Sequence, residues 1–139
     1  MILLDTSGLL SAIDASQRHH ARCAEALAAA SPPLLLSPFV LAEIDYLVAK
    51  HVGAAAQGQL LEEVARGAYR LEPFGASDVA AACEVLRRHA ALDIGLADAS
   101  IAVLAARHRA CDILTLDERH FRALRAFGRK RFRILPFDA

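Results

Sequence analysis

The chain has 139 residues, 55% of them hydrophobic, and sixteen basic residues balance sixteen acidic ones. That length suits one domain spanning residues 1–139, and the apolar fraction excludes a disordered or fibrous chain. Zero net charge leaves no global field to draw in nucleic acid, and no apolar run reaches membrane-spanning length.

Ile2-Leu3-Leu4 reads as a short strand buried on both faces, as in a parallel sheet, and Asp5 stands at its carboxyl end. Asp5 also follows Met1 too soon for a signal peptide. Thr6 and Ser7 carry hydroxyls able to cap the next helix or orient that carboxylate. Gly8 to Ile13 forms a short helix, Asp14-Ala15-Ser16 a turn, and His19 to Ala30 an Ala-rich helix ended by Ser31-Pro32-Pro33. His19 and His20 point about 100° apart on a helix and do not share an ion.

Leu34-Leu35-Leu36 is the second buried strand, and Pro38 opens a helix from Phe39 to about His51. Val40, Leu41, Ile44, Leu47 and Val48 make its apolar stripe. Glu43 and Asp45 flank that stripe on opposite sides, and periodicity leaves open which one faces a site. After Gly53, Ala54 to Arg66 is helical. Tyr69 to Pro73 alternates and ends in proline, as an edge strand does. Ser77 or Asp78 starts a helix to about His89, and Asp93-Ile94-Gly95 breaks the chain before the helix Leu96 to Arg109. A strand over Asp112–Leu116 ends at Asp117. Glu118 to Phe127 is helical, Gly128 stops it, and Phe132 to Leu135 is a last strand.

Strands alternating with helices predict a doubly wound, Rossmann-like parallel α/β sheet of about five strands flanked by helices. Cys23, Cys83 and Cys111 are odd in number, far apart and without metal-pair spacing. They read as buried free thiols in a reducing, cytoplasmic compartment.

The helix from Leu96 to Ala106 is apolar or small nearly all round, with Asp98 its one charge. Burying an unpaired carboxylate costs several kcal/mol, roughly, so Asp98 needs a cation, strong donors or a metal unless it only serves the helix N-terminus. Asp93, in the preceding loop, is a cap or a support. Asp117 repeats the logic of Asp5, and Glu43 lies in the first turns of a helix that follows a strand. In a doubly wound sheet these segments share the carboxyl edge, so Asp5, Glu43, Asp98 and Asp117 can converge there. Carboxylates so close raise one another's pKa, and hard divalent ions such as Mg²⁺ or Mn²⁺ resolve the conflict. Such a centre suits phosphodiester hydrolysis by metal-activated water.

Leu3-Leu4-Asp5-Thr6-Ser7, Glu43, Gly95-Leu96-Ala97-Asp98-Ala99-Ser100-Ile101 and Thr115-Leu116-Asp117-Glu118-Arg119-His120-Phe121 together resemble a PIN-domain ribonuclease. More narrowly, they resemble the VapC toxins of type II toxin–antitoxin systems, over nearly the whole chain. The resemblance implies a PIN-like sheet of five strands, Mg²⁺- or Mn²⁺-dependent endoribonuclease activity on RNA, a cognate VapB-type antitoxin and a homodimer. It places the metal and catalytic carboxylates at Asp5, Glu43, Asp98 and Asp117, with Thr6, Ser7 and Thr115 as supporting hydroxyls. Arg119, Arg122, Arg125 and Arg129 belong to a basic run that is either a solvated helix face or an RNA-backbone contact. His120 reads as structural. A phosphatase using Asp5 as nucleophile and a catalytically silent partner-binding module on the same fold are the competing readings.

Overall fold

Ile2–Leu4 (β1) lies at the centre of the molecule, all three residues buried. In the computed structural model, which describes residues 1–139, β1 pairs in parallel with Leu34–Leu36 (β2) and Asp112–Leu114 (β4). Leu3 is registered on Leu35 and on Ile113, so apolar side chains meet across three strands. Arg70–Leu71 (β3) adds to the outer side of β2, and Arg133–Leu135 (β7) to the outer side of β4. The sheet order is β3-β2-β1-β4-β7, all parallel, as the alternation of elements predicts. The chain leaves β1 toward β2 and β3, then returns to the other side of β1 through β4. Strand order reverses between β1 and β4, and at such a switch point the loops after the two strands part and leave a crevice.

The helices are Thr6–Ile13 (α1), His20–Ala29 (α2), Pro38–His51 (α3), Ala54–Ala65 (α4), Ala76–Arg88 (α5), Leu96–His108 (α6) and Glu118–Ala123 (α7). Most begin or end within two residues of the sequence-based bounds. In α3, Val40, Ile44 and Val48 are fully buried, which is the expected stripe. The core of 24 residues runs through the sheet into α3, α6 and the C-terminal strand.

Two expectations need correction. The helix expected over Glu118–Phe127 stops at Ala123; Arg125–Phe127 (β5) and Lys130–Arg131 (β6) form a small antiparallel hairpin instead. Leu124 and Ala126 are buried while Arg125 is exposed, a period of two that defeats a helix, and Gly128 takes φ +55 at the turn. The cysteines are free, but only Cys23 is fully buried; Cys83 is exposed on α5.

Candidate functional site

Asp5 is 6% exposed, directly after β1, and its main-chain N–H donates to Leu114 O of β4 at 3.1 Å. Its carboxylate Oδ2 accepts from Thr115 Oγ1 at 2.6 Å and from Ser7 Oγ at 3.1 Å. Thr115 Oγ1 also accepts from the Asp117 N–H at 2.9 Å, and Ser7 Oγ accepts from the Leu116 N–H at 3.0 Å. Two hydroxyls thus clamp the ends of β1 and β4 together around one carboxylate oxygen. Burial pushes the Asp5 pKa up, the hydroxyl donors oppose it, and the nearby Asp117 charge adds to the rise.

Thr6 points the other way, its Oγ1 donating to Glu43 Oε1 at 3.1 Å. Glu43 lines an open cleft of about 320 Å³ with Phe39, Gly95, Leu96, Ala97 and Asp98. Asp45 is engaged elsewhere: half-buried, it accepts from Gln57 Nε2 of α4 at 2.8 Å rather than pointing into solvent.

Asp98 sits in the first turn of α6, but its side chain makes no capping bond; the capping position belongs to Gly95. Asp93 is exposed, takes a left-handed φ of 54° after a 3₁₀ turn, and does not cap α6 either. Its carboxylate makes no hydrogen bond to Asp5, Glu43, Asp98 or Asp117, so the expected supporting role has no contact behind it. The Asp98 carboxyl is pushed up to about 6. Burial is the main cause and the Asp5 charge the next. His120 pulls the other way, and the Asp117 and Glu43 charges add smaller pushes upward. The other three predicted carboxylates are therefore all within electrostatic reach of Asp98.

Asp117 caps α7, its Oδ1 accepting from the His120 N–H at 3.0 Å. Its Oδ2 lies 2.7 Å from His120 Nδ1, which is also 3.2 Å from Asp98 Oδ2. Neither oxygen lies along the direction of a hydrogen bond, so this solvent-shielded nitrogen has contacts without a directed partner. Oxygen-rich, charge-loaded and incompletely paired, the donor set fits a divalent cation.

Sequence reasoning passed over a buried pair that sets the cleft's width. Ser37 caps α3, and its Oγ lies 2.6 Å from Ser100 Oγ of α6, which in turn donates to Ala97 O at 2.6 Å. The bond ties the helix carrying Glu43 to the helix carrying Asp98; the available signal was a serine inside an otherwise apolar helix. Ser100→Ala leaves the buried Ser37 hydroxyl without its acceptor and is expected to cost ~1–3 kcal/mol. Urea denaturation checks it, and a loss under a few tenths of a kcal/mol would remove the pair from the account.

The basic run is divided. Arg122 is held by both Asp138 oxygens at 2.6 and 2.7 Å and by Glu118 at 2.8 Å, and in that grip the Asp138 carboxyl falls to about 2. Arg125 donates to the carbonyls of Arg122, Ala123 and Leu124, closing the end of α7. Arg129 is exposed in the hairpin turn, beside Phe127, over which Arg109 stacks at 4.8 Å. Arg109 ends α6, roughly 16 Å along the helix from Asp98 at 1.5 Å per residue. Of the four named arginines, Arg119 alone is both exposed and on the first turn of α7 beside Asp117.

Another carboxylate absent from the sequence reading is Glu72, 5% exposed after β3 and paired with Arg70, Arg107 and His108. Its charge is matched by bases, which marks a structural knot. A further cleft of about 310 Å³ opens at the opposite, amino ends of the strands among Met1, Ile2, Asp112 and Arg133. Its one acidic side chain, Asp112, is paired with Arg133 at 3.0 Å, in contrast to the incompletely paired carboxylates at the carboxyl edge.

Residues 2–127 match the PIN domain family model. The chain is 43% identical over 135 residues to ribonuclease VapC26 of Mycobacterium tuberculosis, covering 97% of this chain and all of that protein. Its fold is similar to the crystal structure of Mycobacterium tuberculosis VapC20, a sarcin-ricin loop cleaving toxin. The TM-score is 0.81 at 22% identity, over 94% of this chain and 99% of that one.

Proposed function

From the premise that this chain belongs to the PIN-domain family and, within it, to the VapC ribonucleases, we propose that it is a divalent-metal-dependent endoribonuclease. It acts as the toxin of a toxin–antitoxin pair, is restrained by a cognate VapB-type antitoxin, and works in the cytoplasm as a homodimer of single-domain chains. The observation that carries the reading is Asp98: a carboxyl pushed up to about 6 by burial and three other carboxylates asks for a cation.

Asp5, Glu43, Asp98 and Asp117 are the groups proposed to hold Mg²⁺ or Mn²⁺. When bound, that ion supplies Lewis-acid activation of water and neutralises charge at the scissile phosphate. Thr115 and Ser7 hold the Asp5 carboxylate in one rotamer, and Thr6 does the same for Glu43. The cleft of about 320 Å³ between α3 and α6 opens to solvent beside Glu43 and Asp98, which is where the RNA strand is proposed to lie. Tyr46, Val52 and Leu61, exposed on and beside α3 and α4, offer apolar surface for a partner chain. No helix is long and apolar enough to cross a membrane.

The test is cleavage of single-stranded or looped RNA by protein freed of antitoxin. Activity is expected with Mg²⁺ or Mn²⁺ and is lost in excess chelator; undiminished cleavage there overturns the proposal.

For the basic run, we assign the RNA-backbone contact nearest the metal site to Arg119, with Arg122, Arg125 and Arg129 as weaker contributors. Arg119→Gln should lower the log–log salt slope of RNA binding by ~0.7, the value for one phosphate contact on a single strand. Arg122→Gln should change it less, because that guanidinium is already shared between Asp138 and Glu118. Equal slopes for parent and Arg119 variant return Arg119 to a solvated face.

A further inference from the structure

His120 has a relation to the carboxylates that neither capping nor packing explains. The backbone that carries its ring is held from two directions: its main-chain N–H donates to Asp117 Oδ1, and the next residue, Phe121, is buried against Phe132 with ring centroids 5.4 Å apart. Asp117 and His120 are three residues apart in the first turn of α7, so both side chains project from one face. Nδ1 is shielded from solvent, and the two nearest polar atoms are Asp117 Oδ2 at 2.7 Å and Asp98 Oδ2 at 3.2 Å.

A simple ion pair would set one carboxylate oxygen on the Nδ1–H axis, and neither oxygen is there. Adjacent ligands of one octahedral ion, each at roughly 2.1 Å and at right angles, stand about 3.0 Å apart. The two observed separations bracket that value. Donor atoms of Asp98, Asp117 and His120 all lie within 4.8 Å of one another.

Resting on the metal-dependent reading above, we infer that His120 Nδ1 is a direct ligand of the ion held by Asp98 and Asp117, and that it tilts the site toward Mn²⁺ over Mg²⁺. The tilt follows from ligand character. Mg²⁺ is hard and keeps to oxygen donors and water, whereas a first-row transition ion such as Mn²⁺ accepts an imidazole nitrogen at less cost. The inference separates His120 from the four carboxylates, which serve either ion.

The measurement is made on the full chain, labelled with ¹⁵N-histidine and loaded with Mn²⁺, by electron spin echo modulation. Nitrogen coupling is expected in the parent, is expected to change from the ¹⁴N to the ¹⁵N pattern with the label, and should vanish in His120→Gln. Calorimetry should show Mn²⁺ affinity falling at least ~10-fold in that variant, with Mg²⁺ affinity in competition changing much less. Mn²⁺ binding without histidine nitrogen coupling in the parent overturns the role of His120 and leaves the carboxylate site standing. No Mn²⁺ binding by the parent overturns both. The isotope-dependent spectrum of the parent identifies a histidine but not which of the six, so if His120→Gln fails to fold, loss of nitrogen coupling in His120→Asn makes the assignment, and coupling retained there overturns it.

Discussion

Asp98→Asn is expected to abolish metal-dependent cleavage while making the metal-free protein more stable at neutral pH. The carboxyl titrates at about 6 in the folded chain against an ordinary 3.8, chiefly because it is buried and then because Asp5 is near. Between those values the folded state holds a proton that the unfolded state has released. Stability therefore falls as pH rises from about 4 to about 6, and the deficit persists above that. At pH 7 it amounts to at most about 3 kcal/mol. Asparagine keeps the volume and polar atoms, carries no charge, and should flatten this stretch of the stability–pH curve. Activity should fall by more than the ~10–100-fold that follows when a mere supporting partner of a metal ligand is lost. Adding Mn²⁺ should raise the parent's melting temperature through linkage and leave the variant's nearly unmoved. Chelated samples denatured at pH 4.5 and 7, with and without Mn²⁺, test all of it. A variant that keeps both the pH slope and the cleavage would show that Asp98 is not a ligand.

Gly8→Ala should be the most damaging single methyl in the chain. A Cβ at Gly8 would lie 2.5 Å from Leu114 O, 2.6 Å from Leu114 C and 2.8 Å from Thr115 N, all backbone atoms of the end of β4. Nothing flexible can yield there. Either α1 lifts off the sheet or the end of β4 shifts, and both pull Thr115 and Ser7 away from Asp5. A loss of about 3 kcal/mol or more is expected, at or beyond the upper range for overpacking. Activity should drop even where the variant remains folded, because the Asp5 clamp loosens. Thermal melting and cleavage together check the expectation. A variant within 0.5 kcal/mol of the parent, roughly the ordinary surface range, would mean that α1 has slack this geometry does not show.

The five strands of the main sheet and most helices were legible in the sequence because most are short apolar runs or amphipathic stretches bounded by proline, glycine or a carboxylate. The acidic set was legible for a related reason: Asp5 directly follows a buried strand, Asp117 stands three residues past another, and Asp98 is the one charge in its helix up to Ala106. The hairpin was missed because Gly128 was read as the stop of one helix begun at Glu118, and the alternation of buried Leu124 and Ala126 about exposed Arg125 is too short to stand out from a helical run. His120 was read as structural because no local pattern distinguishes a histidine beside a carboxylate cluster from one that merely covers a helix end.

By itself, the order of residues determined the five parallel strands, most of the helices and the expectation that the carboxylates meet at one edge, since these follow from hydrophobic period and strand termini. The tertiary structure alone decided what each polar group meets. Asp45 is drawn to Gln57 by the packing of α4 on α3, while Glu43 faces Thr6. Arg122 is taken up by Asp138, sixteen residues further along the chain. Ser37 finds Ser100 across 63 residues, and Thr115 reaches Asp5 across 110. Hydrogen bonds act over about 3 Å and disregard distance along the chain, so their partners are set by how the layers pack, which local periodicity does not encode.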